Sequence, residues 1–147
     1  ALVAKELSQV LLATPTEPAI VVMIPLVTLR TMLFEVSEIM RSLGKDADKV
    51  KALFVTIDPE RDTPEKMKDY LSSFDPHVVG VTGDPASIAA IGKAYRVYFK
   101  KVPLEGGNYT MDHTAIVYLM DKDGRFVAPF NMKRRPEEAA ADIRRYL

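Results

Sequence analysis

Cysteine is absent from this sequence, and histidine occurs only at positions 77 and 113. For the chain as written, that excludes a disulfide scaffold, a zinc-thiolate site and a cysteine nucleophile. Net charge is missing too: 20 Lys and Arg balance 20 Asp and Glu. A nucleic-acid partner held by bulk basic charge is therefore not expected. No apolar run approaches the roughly 18–20 residues that cross a bilayer. The most apolar stretch, Ala19–Val27, is interrupted by Pro25. The opening residues ALVAKELSQV lack the basic start of a signal peptide, although a removed signal or anchor leaves no trace. Dinucleotide-binding, Walker and H-E-x-x-H motifs are absent, as are internal repeats, low-complexity tracts and any interdomain linker.

What is present is ordinary globular material. Apolar residues make up 48% and charged ones 27% of the 147 residues, which predicts one domain over 1–147 with one ordinary core. Residues 1–32 carry few signals: Leu2–Leu12 reads as a short helix or a strand, and Ala19–Ile24 as a buried strand between prolines. From Leu33 the pattern sharpens. Leu33, Val36, Met40 and Leu43 recur at helical spacing, and Gly44 follows as a stop. Ala52–Ile57 is apolar nearly throughout and predicts a central strand buried on both faces. Thr63-Pro64 opens a helix, with Thr as its cap and Pro in its first turn. Met67, Tyr70, Leu71 and Phe74 form its inner side. Val78–Val81 is a further strand, and Asp84-Pro85 opens a helix to about Tyr95. Val97–Val102 reads as a strand, and Pro103–Met111, with Gly106-Gly107, as a loop. Thr114–Met120 and Arg125–Phe130 are two strands joined at Asp121-Lys122-Asp123-Gly124, a hairpin signal. A last helix follows Arg135-Pro136, with Ala139, Ile143 and Leu147 inward. The order β-α-β-α-β-α-β-β-α predicts an α/β fold: a central mixed sheet with helices on both faces, in a thioredoxin-like arrangement.

Few residues offer chemistry. His113, in Met111-Asp112-His113-Thr114 before an apolar strand, falls where loops build sites. It reads either as a ligand there or as a hydrogen-bonded structural histidine. His77, in Asp75-Pro76-His77, reads as a surface residue. Asp58, Glu60, Arg61 and Asp62 concentrate charge in one short loop. Arg61 can fork between the carboxylates, or the stretch is a capped helix start with an internal ion pair. Lys133-Arg134-Arg135 reads as a solvated loop. Met111 is a soft thioether that shares a face with His113 if the segment is extended.

Three stretches carry a resemblance. VTIDPERDTPEKMKDYLSSFDPHVVGVTGD at 55–84, KAYRVYFKKVPLEGGNYTMDHTAIVYLMDKDGRFV at 93–127 and the ending RRPEEAAADIRRYL resemble the Sco/SenC family, in a form like that of alpha-proteobacteria. Such proteins are thioredoxin-fold copper chaperones, not turnover enzymes, that help assemble the dinuclear copper site of cytochrome c oxidase. The resemblance spans about Leu33 to Leu147. It implies that His113, from the D-H-T-A element, is a copper ligand, and that Asp112 orients it. It implies that Asp58, Arg61 and Asp62 form the charged loop near the metal. It also implies two cysteine ligands, which an ungapped count back from Leu33 puts at positions 25 and 29. The sequence has Pro25 and Leu29 there, and of the family's cysteine segment Leu29-Arg30-Thr31-Met32 keeps only Thr31.

Copper is thus the implied cargo. The implied partners are the copper-site subunit of cytochrome c oxidase and a thioredoxin-like reductant. The implied location is the periplasm, anchored to the inner membrane by a segment outside this chain. Cu(I) needs soft thiolates, which one imidazole cannot replace. Two rivals therefore stand beside the chaperone: a thiol-disulfide oxidoreductase of thioredoxin fold, which the missing thiols oppose, and a metal-free module that docks on an oxidase subunit.

Overall fold

A computed structural model of the chain describes residues 3–4, 19–24, 30–114, 117–123 and 125–147. The expected strand Ala52–Ile57 is the centre of the molecule. Strand β3 (Lys51–Thr56) sends Ala52 and Phe54 into one apolar cluster, and Leu53 and Val55 into another on the opposite face. Burial on both faces is why its sequence does not alternate. On one side β3 pairs in parallel with β2 (Ala19–Ile24), and on the other with β4 (Val78–Val81). Beyond β4 lies the short β1 (Val3–Ala4), parallel to it. The rest of the stretch Leu2–Leu12 lies outside the described residues. Beyond β2 lie two antiparallel strands, β7 (Val117–Met120) and β8 (Phe126–Pro129), completing a six-stranded mixed sheet. Asp121 closes their connection, its Oδ1 accepting from the amides of Asp123 and Arg125.

Helices cover both faces. Against the first cluster pack α1 (Arg30–Leu43), α2 (Pro64–Leu71) and α4 (Pro136–Arg144). Leu33, Val36, Ile39, Met40 and Leu43 are the buried stripe of α1. Thr63 caps α2, its hydroxyl accepting from the Lys66 amide, with Pro64 in the first turn as its sequence implies. Leu147 was expected to pack but lies past the end of α4 and is 40% exposed. The opposite face carries α3 (Pro85–Ala94), capped by Asp84, with Ile88 in the second cluster.

The main departure lies between residues 97 and 117. The stretch read as one strand followed by a loop is a separate hairpin. Its strands are β5 (Phe99–Pro103) and β6 (Tyr109–His113), paired from Phe99↔His113 to Pro103↔Tyr109. Gly106 and Gly107 have φ of 76° and 79°, a region that glycine enters without steric cost, and this turns the chain back on itself. The period-two pattern of β6 was legible: Tyr109, Met111 and His113 are half-buried, while Thr110 and Asp112 are exposed. The strand expected over Thr114–Met120 is β7, Val117–Met120; the Thr114 amide is taken by the Tyr98 carbonyl at the hairpin base.

Two local features generate tests. A Cβ on Gly92, in α3, would stand 2.4 Å from Cε1 of the Phe99 ring, so Gly92 makes the notch into which the hairpin packs. We expect Gly92→Ala to destabilise the protein. Overpacking costs about 1–3 kcal/mol, against a helix-propensity gain of at most about 1 kcal/mol. In a Phe99→Leu background the same change should be neutral or favourable, and urea midpoints of the four proteins check this.

His77 is more than a surface residue. Its Nδ1 lies 2.6 Å from Asp75 Oδ1 and its Nε2 lies 2.8 Å from Asp48 Oδ1. Hydrogen bonding to Asp48, reinforced by Asp75, raises its pKa above the ordinary 6.5 despite partial burial. A raised histidine pKa stabilises the fold fully below the unfolded value. That contribution is lost as pH rises through the folded value. Melting temperatures should therefore fall between pH 6 and 8.5 more for the native chain than for His77→Gln; parallel curves would refute the clamp.

Candidate functional site

The parallel strands β2, β3 and β4 end at one edge of the sheet, at Ile24, Thr56 and Val81. Past β3 the chain turns through Asp58–Asp62, where the Asp58 carbonyl accepts from the amides of Arg61 and Asp62. Asp58 and Asp62 are only 4% and 6% exposed, and buried carboxylates demand partners. Thr56 serves both. Its hydroxyl donates to Asp62 Oδ2 and accepts from the Asp58 amide at 2.9 Å. The Asp58 carboxylate accepts from the Tyr109 hydroxyl at 2.8 Å.

Arg61 does not fork between its neighbouring aspartates. Its Nε is 3.9 Å from Asp58, while its Nη2 donates to Asn108 Oδ1 and to the Tyr109 carbonyl. The planar guanidinium instead stacks on the Tyr109 ring, 3.6 Å from its centroid, an arrangement that satisfies donors and π-face together. Lys101 Nζ stands 4.1 Å from the same centroid and 2.9 Å from Glu60 Oε2. Loss of solvation and the bond to Asp58 push the Tyr109 hydroxyl up to about 12, so it remains a donor at neutral pH. The charged loop and the hairpin tip thus form one network. Asn108, Lys101 and Tyr109 were not anticipated. The Tyr109–Asp58 contact joins residues 51 apart, and no local pattern announces it.

His113 ends β6, half-buried, with Nδ1 3.3 Å from the Thr114 carbonyl oxygen. Strand β7 follows, and Val117 pairs with Val22, two residues before β2 ends. The register thus puts the start of β7 at the end of the sheet where β2 finishes, at Ile24. Pro25 and Leu29 themselves lie outside the described residues. Asp112 is exposed, and the pleat turns it away from the face shared by Met111 and His113. Met111 lines a cavity of about 200 Å³ with Ile57, Pro59, Ile88 and Phe99, rimmed by Asp58, Glu60 and Lys101.

The donor set does not suit Cu(I). Among the described residues no three His, Cys, Asp or Glu side chains gather to hold a metal ion. On the described face of β6 the soft or borderline donors are the His113 imidazole and the Met111 thioether; Asp58 and Asp62 are hard oxygen donors engaged by protein groups.

Comparison with known proteins agrees with the fold and extends it. Residues 30–147 match the profile of the family described as SCO1/SenC. The chain is 44% identical over 92 residues to the human mitochondrial protein SCO1 homolog, covering 62% of this chain and 31% of that protein. It thus spans about a third of the length of this human protein and of its mouse counterpart. Among solved structures it superposes on copper-bound ScoI of Bradyrhizobium japonicum with a TM-score of 0.84 and 60% identity, covering 92% of this chain and 88% of that one. Yeast Sco1 with copper bound gives 0.78 at 29% identity, over 88% and 75% of the two chains. The α/β thioredoxin-like fold expected from the sequence is the fold of these proteins.

The network at the end of β3 has a testable weak point. Thr56→Val keeps the shape and removes the hydroxyl that serves both aspartates. An unmet buried polar group costs about 1–3 kcal/mol. Chemical denaturation should show a loss in that range, and a Thr56→Ser variant should recover most of it.

Proposed function

The chain belongs to the SCO1/SenC family, and we propose that it acts, like copper chaperones of that type, in assembling the dinuclear copper site of cytochrome c oxidase. Copper is the cargo in this reading, and no catalytic turnover is invoked. The observation that carries it is His113: the histidine of the D-H-T-A element leads into β7 at the sheet edge where β2 ends. Relatives solved with copper support the same reading. The working partner is the copper-site subunit of the oxidase. Exposed rings are available for such a partner. Phe34 in α1 is 65% exposed, and Tyr98, bonded through its backbone to Thr114 beside His113, is 55% exposed.

Copper chemistry sets the limit of what this chain does alone. Without thiolates it lacks the anionic soft ligands that make Cu(I) binding tight. A thioredoxin-like reductant belongs to the family's cysteine pair and has no disulfide to act on here. The same absence favours one alternative, a metal-free module that docks on the oxidase subunit. It disfavours a thiol-disulfide oxidoreductase, whose mechanism begins at a thiolate. We place the protein in the periplasm, tethered to the inner membrane by a segment outside this chain. Among the described residues no helix is long and apolar enough to cross a membrane.

A Cu(I) competition titration against a strong chelator separates the readings. The chain itself should compete poorly. A Pro25→Cys, Leu29→Cys double variant should acquire tight binding, and adding His113→Ala should weaken it again. Tight binding by the cysteine-free chain would overturn the ligand argument. A double variant that gains nothing would show that positions 25 and 29 do not face His113.

A further inference from the structure

A two-stranded hairpin is marginal by itself, so the pose of β5–β6 is set by what ties it to the six-stranded body. At the base, the Thr114 amide donates to the Tyr98 carbonyl at 2.9 Å, and Phe99 packs at the Gly92 notch. At the tip, the Tyr109 hydroxyl donates to Asp58, whose carboxylate is buried at the end of the central strand. Arg61 holds Asn108 and the Tyr109 carbonyl from the same loop.

We propose that Tyr109 is a positioning residue for His113, a latch that fixes which way the whole of β6 faces. Side chains on a strand alternate, so Tyr109, Met111 and His113 share one face. With the Tyr109 ring drawn to Asp58, His113, about 13 Å further along the strand, is committed to the same side. Releasing the hydroxyl leaves the strand free to roll or slip, and a slip of one residue would turn all three outward. Arg61 and Lys101 add specificity: both cations stand over the ring, so the ring as well as the hydroxyl is held. The significance of His113 rests on the function proposed above. The mechanical claim about the hairpin does not.

The test uses no metal, so it can fail or succeed independently of the copper reading. Tyr109→Phe keeps the ring and its cations and removes only the hydroxyl. In protein labelled at histidine, the His113 ring resonances should shift or broaden at constant pH, while those of His77, remote from this network, stay in place as the internal control. Amide exchange in β5–β6 should accelerate about tenfold or more, the scale of a lost hydrogen bond to a charged group, with exchange in β2–β4 unchanged. Arg61→Lys, a milder change that keeps the charge but loses the planar fork, should move the same signals in the same direction. Unchanged His113 resonances and hairpin protection in both variants would overturn the proposal. So would a uniform loss of protection across the sheet, since that marks a purely structural role.

Discussion

Two carboxylates, Asp58 and Asp62, are buried where the central strand leaves the sheet, and much else in this structure follows from satisfying them. The Thr56 hydroxyl, itself fully buried, supplies Asp62 and receives the Asp58 amide. Within its own loop the Asp58 carboxylate has only the Arg61 guanidinium, at 3.9 Å, and takes a closer donor from outside it. That donor comes from Tyr109 on the hairpin. A buried charge without a partner would cost several kcal/mol, so the requirement that stabilises the loop also docks the hairpin. Fold and site are therefore one problem at this edge of the sheet.

The hairpin is attached by unlike means at its two ends. Its base is apolar and backbone-bonded, with Phe99 against the bare backbone of Gly92. Its tip is polar, with Tyr109 beneath Arg61 and Lys101. His113 stands at the base end of this hairpin, half-buried, on the face of β6 that also carries Met111 and Tyr109. Among the described residues, the hairpin's ties run to the loop after β3 and to α3.

Much of the fold was legible in the sequence because its causes are local. Buried stripes at helical spacing marked α1, the Thr63-Pro64 and Asp84-Pro85 pairs marked two helix starts, and the unbroken apolar run of β3 marked a strand covered on both faces. His113 was legible as a candidate through the D-H-T-A element. The hairpin was not, although Tyr109, Met111 and His113 alternate correctly. The glycines between its strands read as loop, and a two-stranded sheet leaves no long apolar run to detect. The forked role imagined for Arg61 failed for a related reason: its partners, Asn108 and Tyr109, lie 47 and 48 residues away.

The sequence by itself determined the helices, the longer strands of the main sheet and their order, the family and the absence of soft anionic ligands. Each of these follows from composition, from periodicity along a few turns, or from residues adjacent in the chain. Tertiary structure alone decided that the charged loop, besides its internal Arg61–Asp58 pair and the Thr63 cap, serves the hairpin, and that His77 is held between Asp48 and Asp75. It also decided that Asp112 turns away from His113. These outcomes turn on which distant groups the folded backbone brings within about 3 Å of a donor, and on which face of a strand points inward. Neither is a property of any short stretch of chain.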